Sequence, residues 1–60
     1  MMLILGKPKR TDDYYTATND EAVFLQTESF IPMYKDDDGI YYFKLNRKLK
    51  AFLEENGMVY

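Results

Sequence analysis

Apolar and polar positions change period along this chain, and each change marks an element. Residues 1–5 are a continuous apolar run that stops at Gly6 and reads as a short buried strand. Lys7-Pro8-Lys9-Arg10 cannot extend it comfortably, because Pro8 has no N–H for a ladder. Tyr14, Tyr15, Thr16 and Thr18 have strand chemistry over a stretch short enough to be an extended lead-in. Thr18-Asn19-Asp20-Glu21 has the spacing of a capping box, and its two acids suit the positive end of a helix dipole. A helix is therefore predicted over 19–28. Ala22, Leu25 and Ser29 lie along its inner face, and Val23 and Phe24 widen it. The unbroken run Ala22-Val23-Phe24-Leu25 also suits a strand.

The second half reads as a hairpin followed by a helix. Residues 30–35 and 40–45 flank Asp36-Asp37-Asp38-Gly39, an Asp-Gly turn between β-prone runs. Pro32 makes the first strand an edge strand or bulges it. In the second strand Tyr41, Phe43 and Leu45 share one face, expected in the core, while Ile40, Tyr42 and Lys44 share a partly exposed one. Asn46 is placed to cap a helix over 47–56. Leu49, Phe52 and Leu53 form its inner stripe, and Gly57 sits where a left-handed cap ends it. Met58-Val59-Tyr60 has the composition of a closing strand beside Leu3-Ile4-Leu5. The expected fold is α+β, one small domain over 1–60. It has a small antiparallel sheet, made of the hairpin 30–45 and the N-terminal strand, packed against two short helices. Its expected core is Leu25, Phe43, Leu49, Phe52 and Leu53, with Leu3 and Ile4 against them.

Composition narrows the chemistry. The 60 residues include no Cys and no His, which removes disulfides, Cys/His zinc sites and the nucleophile–histidine pairs of most hydrolases. Paired carboxylates occur at Asp12/Asp13, Asp20/Glu21 and Glu54/Glu55, but a chain this short has little room for a cleft that would desolvate one. No enzyme activity and no cofactor are expected. Eight Lys/Arg against ten Asp/Glu argue against non-specific coating of DNA. The apolar run at 1–5 is far below the ~20 residues of a membrane-spanning helix. Lys7, Lys9 and Arg10 follow it, whereas a signal peptide places its basic residues first, so the expected location is cytoplasmic with no membrane contact.

Three features bear on binding, one of them against it. Asp36 opens an acidic run, but an EF-hand loop begun there would need Gly and Glu where the chain has Tyr41 and Arg47, so the run reads as a solvated turn and no metal site. The last helix carries its charges in the unfavourable order, Arg47, Lys48 and Lys50 at the positive end of the dipole and Glu54 and Glu55 at the negative end. That start is a candidate anion or partner site, with Lys44 and the basic arm Lys7, Lys9 and Arg10 as extensions. Six tyrosines exceed what so small a core can take, which makes Tyr14, Tyr15, Tyr34 and Tyr42 interface candidates. Domains of this size often gain stability by oligomerising, so a homodimer is expected.

From Thr16 on, the threonine–aspartate helix start, Phe30 at the head of the hairpin, Tyr42-Phe43 in its second strand and Leu49, Phe52 and Leu53 in the last helix are similar to a family of uncharacterised small proteins from bacteriophages, prophages and plasmids. The likeness covers about residues 15–55, and the family commonly has Gly where this chain has Ser29. It implies a mobile-element origin and no catalytic residue. Ile31-Pro32-Met33-Tyr34-Lys35, Tyr41-Tyr42-Phe43 and residues 49–54 also resemble the wing and last helix of excisionase-type winged-helix proteins. The stretch before Ile31 is short for a helix-turn-helix, and phosphates would repel a wing tip of Asp36-Asp37-Asp38. Two functions follow as expectations: a small accessory protein that binds another protein, or a nucleic-acid binder using the basic helix start and arm, with aromatic rings for stacking.

Overall fold

The computed structural model describes residues 3–58 and shows an α+β fold, a four-stranded mixed sheet with two helices. The elements are β1 (Ile4–Leu5), β2 (Tyr14–Ala17, preceded by a 3-10 turn at Thr11–Asp13), α1 (Asn19–Thr27), β3 (Tyr34–Lys35), β4 (Tyr41–Lys44) and α2 (Arg47–Glu55). Strand order is β1-β3-β4-β2. The β3–β4 hairpin is central, β2 is antiparallel to β4, and β1 is parallel to β3. The stretch at 14–17 is thus a full strand, and the sheet is not purely antiparallel. The closing strand expected at 58–60 lies, beyond Met58, outside the described residues.

The core lies over half of the sheet. Tyr15 and Ala17 of β2 and Phe43 of β4 pack with Ala22 and Leu25 of α1 and Leu49 and Leu53 of α2; Phe30, Tyr41, Leu45, Phe52 and Met58 are partly buried around them. Leu25, Phe43, Leu49 and Leu53 are buried as their spacing predicts, whereas Phe52 is only partly buried. Leu3 and Ile4 do not join this core: they are 37% and 44% exposed, and Leu5 is 81% exposed. The reason is topological. Each helix starts directly after the strand before it, α1 after β2 and α2 after β4, so both are tethered above the β2–β4 half. The strand expected to be buried is instead an open edge. Val23 and Phe24 do not widen the inner face of α1 either; they are exposed.

Residues 6–13 must travel from the β1 edge to the opposite edge, where β2 begins. Burial of Pro8 and of Tyr42, whose side chain alternates away from Phe43, places this crossing on the face opposite the helices. Sheet, helices and strap thus form three thin layers.

Local chemistry sets the element ends. Asn46 caps α2 as expected, its Oδ1 accepting from the Leu49 N–H at 2.8 Å. At the other end the N–H groups of Gly57 and Met58 donate to Glu54 and Leu53, a Schellman turn with Gly57 at φ 69°. The end of α1 repeats that turn with Ser29 in the glycine position: Ser29 and Phe30 donate to Gln26 and Leu25, and Ser29 has φ 74°. The capping box at the start of α1 is not formed. Thr18 stands at the N-cap position without a side-chain cap bond, and Glu21 instead accepts from the Tyr15 hydroxyl at 2.8 Å. Of the two effects expected of Pro32, the structure shows the bulge and not the edge position, since β3 lies between β1 and β4. The ladder starts only at Tyr34, and the Met33 N–H reaches Tyr42 O at 2.8 Å, one residue out of step with the Tyr34–Tyr42 register.

Candidate functional site

The hairpin turn is built around Asp36. Asp36 pairs with Ile40 through a backbone bond, Gly39 donates to Asp36 O, and Gly39 takes φ 82°, a three-residue loop with a left-handed last residue. The Asp36 carboxylate then accepts from three donors. Oδ1 takes the N–H groups of Asp38 and Ile40 at 2.9 and 3.0 Å, and Oδ2 takes the Tyr42 hydroxyl at 2.8 Å. The Ile40 N–H is the largest cause holding this carboxyl below its ordinary range; the Tyr42 hydroxyl, the Asp38 N–H and the Lys7 charge add to it against the opposing effect of desolvation. Asp36 is therefore no solvated turn residue: it is buried, and its oxygens are engaged in holding the loop. Asp37 and Asp38 are exposed.

The four tyrosines expected at an interface divide into two pairs. Tyr15 and Tyr42, both expected at an interface, are buried within the chain, each donating to a carboxylate. Desolvation, then the Glu21 hydrogen bond and charge, push the Tyr15 phenol up to about 12. The Asp36 hydrogen bond raises Tyr42, with desolvation and acidic neighbours adding. Tyr14 and Tyr34 are half-buried, their rings meeting edge to face at 5.5 Å. Desolvation raises the Tyr14 phenol, helped by Tyr34 and Asp13.

The candidate basic residues fall into three groups. Lys44 holds its ammonium 5.2 Å from the Tyr14 ring centroid, and Lys48 lies 5.8 Å from that of Phe30. Both border a cleft of ≈ 330 Å³ whose other walls include Ile31, Met33, Phe43 and Leu49. Arg47 and Lys50 line a different depression with Ala51 and Glu54. Lys7, Lys9 and Arg10 are exposed on the strap; Arg10 makes only a long, solvated ion pair of 3.9 Å with Asp13. The single anion surface expected at the start of α2 is thus split over several patches, and the first free N–H groups of that helix already include one satisfied by Asn46.

The surface that stands out is apolar and was not anticipated. Leu3, Ile4, Leu5, Ile31 and Met33 are all exposed and gather around β1 and the segment entering β3. A broad groove of ≈ 630 Å³ opens there, lined by Leu3, Gln26, Ser29, Phe30, Ile31, Pro32 and Tyr41. None of these side chains is a carboxylate or a cation, so the groove offers apolar contact and neutral hydrogen-bonding groups. Pro32 is the one sequence signal that could have pointed here: it keeps the ladder from extending back beyond Met33, and Ile31 and Met33 on either side of it are exposed while Pro32 itself is buried. Among the described residues no group of acidic residues is arranged to hold a metal, and no helix is long and apolar enough to cross a membrane. No family model matches the chain, and neither a curated protein nor a solved structure is significantly similar to it.

Proposed function

We propose that this chain is a small non-enzymatic protein-binding module that self-associates, of the accessory kind carried by bacteriophages and other mobile elements, and that it works in the cytoplasm. The observation that carries the binding reading is the open apolar groove whose exposed walls are Leu3 and Ile31, above partly buried Phe30 and buried Pro32, with exposed Leu5 in β1 and exposed Met33 just before β3. The largest contiguous apolar patch on a small domain is often its functional surface. The phage origin is supported by the sequence resemblance over residues 15–55. The second reading, a nucleic-acid binder, is supported by Arg47 and Lys50, which line one depression on α2, and by the exposed Lys7, Lys9 and Arg10 on the strap.

A photo-crosslinking amino acid at Ile31, compared with one at Lys50, tests the choice in a bacterial lysate. Protein adducts at Ile31 that survive a rise from ~0.05 to ~0.5 M salt support the first reading, since apolar contact is not screened. Adducts confined to Lys50, lost with salt and with nuclease, overturn it in favour of phosphate contacts.

A further inference from the structure

We propose that β1 is a self-pairing edge: two copies of the chain join β1 to β1 about a two-fold axis through Ile4, each seating its Leu5 at the mouth of the other's apolar groove. This rests on the protein-binding reading and names its first partner as a second copy of the chain.

The argument starts with the backbone. Ile4 and Gly6 donate inward, to Met33 O at 2.9 Å and Lys35 O at 2.8 Å. Peptide groups alternate along a strand, so those of Leu3 and Leu5 point away from the sheet with their donors and acceptors free to meet another strand. Edges of this kind are normally blunted by charge, proline or a covering loop. The opposite edge, β2, has Asp12 and Asp13 just before it and Asp20 and Glu21 just after it. Among the described residues nothing covers Leu3, Ile4 and Leu5, whose own side chains are all apolar; the charge and the proline nearest to them, Lys7 and Pro8, lie beyond the paired stretch, and Leu5 is the most exposed large apolar residue described.

Register selects the occupant. An antiparallel two-fold at Ile4 sets Leu3 opposite the partner's Leu5, and Leu5 opposite the partner's Leu3, as hydrogen-bonded pairs that use those outward groups. Ile4 meets the partner's Ile4 as the close, non-hydrogen-bonded pair. Every facing side chain is then apolar. A shift of the axis to Leu5 would set Leu3 against the partner's Lys7, which the alternation disfavours. Leu3 and Leu5 point to the helix side, over the half of the sheet that the helices leave bare, and Leu3 lines the groove. The partner's Leu5, lying beside Leu3, enters that groove. The exposed parts of Leu3, Ile4, Leu5, Ile31 and Met33 amount to several hundred Å², below the ~800 Å² per partner of a standard interface, so a weak dimer is expected, at micromolar concentrations or above.

The chain lacks cysteine, so a single introduced thiol reports the register. Facing residues of a non-hydrogen-bonded pair have Cα atoms ~4.5 Å apart, within the range a disulfide spans. Ile4→Cys is expected to give a covalent dimer under mild oxidation at least about tenfold faster than Leu5→Cys or Val23→Cys, whose homotypic partners lie apart. Leu5→Pro removes an outward N–H and no inward bond. It is expected to abolish concentration-dependent mass by light scattering between ~10 μM and ~1 mM, with circular dichroism unchanged. Thr16→Pro, the equivalent change on the outer side of β2, is expected to leave the dimer intact. A wild-type mass near 7.2 kDa throughout, equal crosslinking of the three thiols, or loss of dimer in Thr16→Pro alone overturns the proposal. A chain that is monomeric yet crosslinks to another protein through Ile31 overturns the self-pairing and leaves the binding function standing. One that pairs through Ile4 but forms only nuclease-sensitive adducts overturns that function and leaves the edge.

Discussion

Replacing Ser29 by glycine should stabilise this protein. Ser29 occupies the glycine position of the turn that ends α1, at φ 74°, where a side chain crowds the following carbonyl. That conformation costs an L-residue about 1–2 kcal/mol, and glycine avoids the cost. Against this, glycine gives the unfolded chain extra freedom, a loss of about 0.4–1 kcal/mol. The difference leaves a net gain of about 0.5–1 kcal/mol. Ser29 is exposed, so no cavity opens when its side chain goes. For a domain this small the gain should raise the melting midpoint by about 2–8 °C, read by circular dichroism at a protein concentration low enough to keep the chain monomeric. The urea slope should not change, because no surface burial changes. Gly57 supplies the reverse experiment. It holds the same position after α2 at φ 69° with open space around it, so Gly57→Ser should destabilise by a similar amount for the backbone reason alone. A Ser29→Gly variant no more stable than the wild type, at equal urea slope, would refute the strain argument. A further Ser29→Val change, β-branched at the same φ, should fall well below wild type.

Phe43→Ala should cost about 3–5 kcal/mol and leave no cooperative melt, since that approaches the whole stability of a domain this small, while Phe24→Ala, at a residue 42% exposed, should cost less than half as much by the same assay. Asp36 has its carboxyl lowered, so its stabilising effect is complete above the ordinary aspartate value near ~4 and is lost as pH falls below it; Asp36→Asn should flatten the acid limb of a pH–stability profile. Tyr15 has its phenol raised to about 12, so its effect is complete below ~10 and lost as pH climbs towards 12; Tyr15→Phe should flatten the alkaline limb. Arg47→Glu should leave the fold intact and raise stability by about 0.3–1 kcal/mol at low salt, because α2 has no acidic residue in its first turn; a drop in chemical-denaturation midpoint would mean that Arg47 makes a contact worth more than the dipole.

Local chemistry was readable where one residue decides the backbone. Asn46, Gly39, Gly57 and Pro32 each did what their conformational limits require, and Leu49 and Leu53 turned inward, with Phe52 partly buried at the edge of the core. Alternation also separated Phe43 from Tyr42 correctly. It could not say that the second face of β4 would be covered as well, because the cover is the strap at 6–13, and its path depends on which edge β2 joins. The strap covers Tyr42 and the helices cover Tyr15, so two tyrosines leave the surface on opposite faces of the sheet. Tyr42 found Asp36 and Tyr15 found Glu21, partners six positions away in each case. Glu21 in turn was taken from the cap that its spacing from Thr18 suggested, so one long-range choice changed a local motif. The apolar run at 3–5 failed for the converse reason. Hydrophobicity says that a segment gains by burial but not whether its own chain has enough helix to bury it. Here two nine-residue helices, tethered to β2 and β4, are spent on the other half of the sheet. What is left over is a strand with the composition of a core and the position of an edge, and a second chain is the simplest thing that satisfies both.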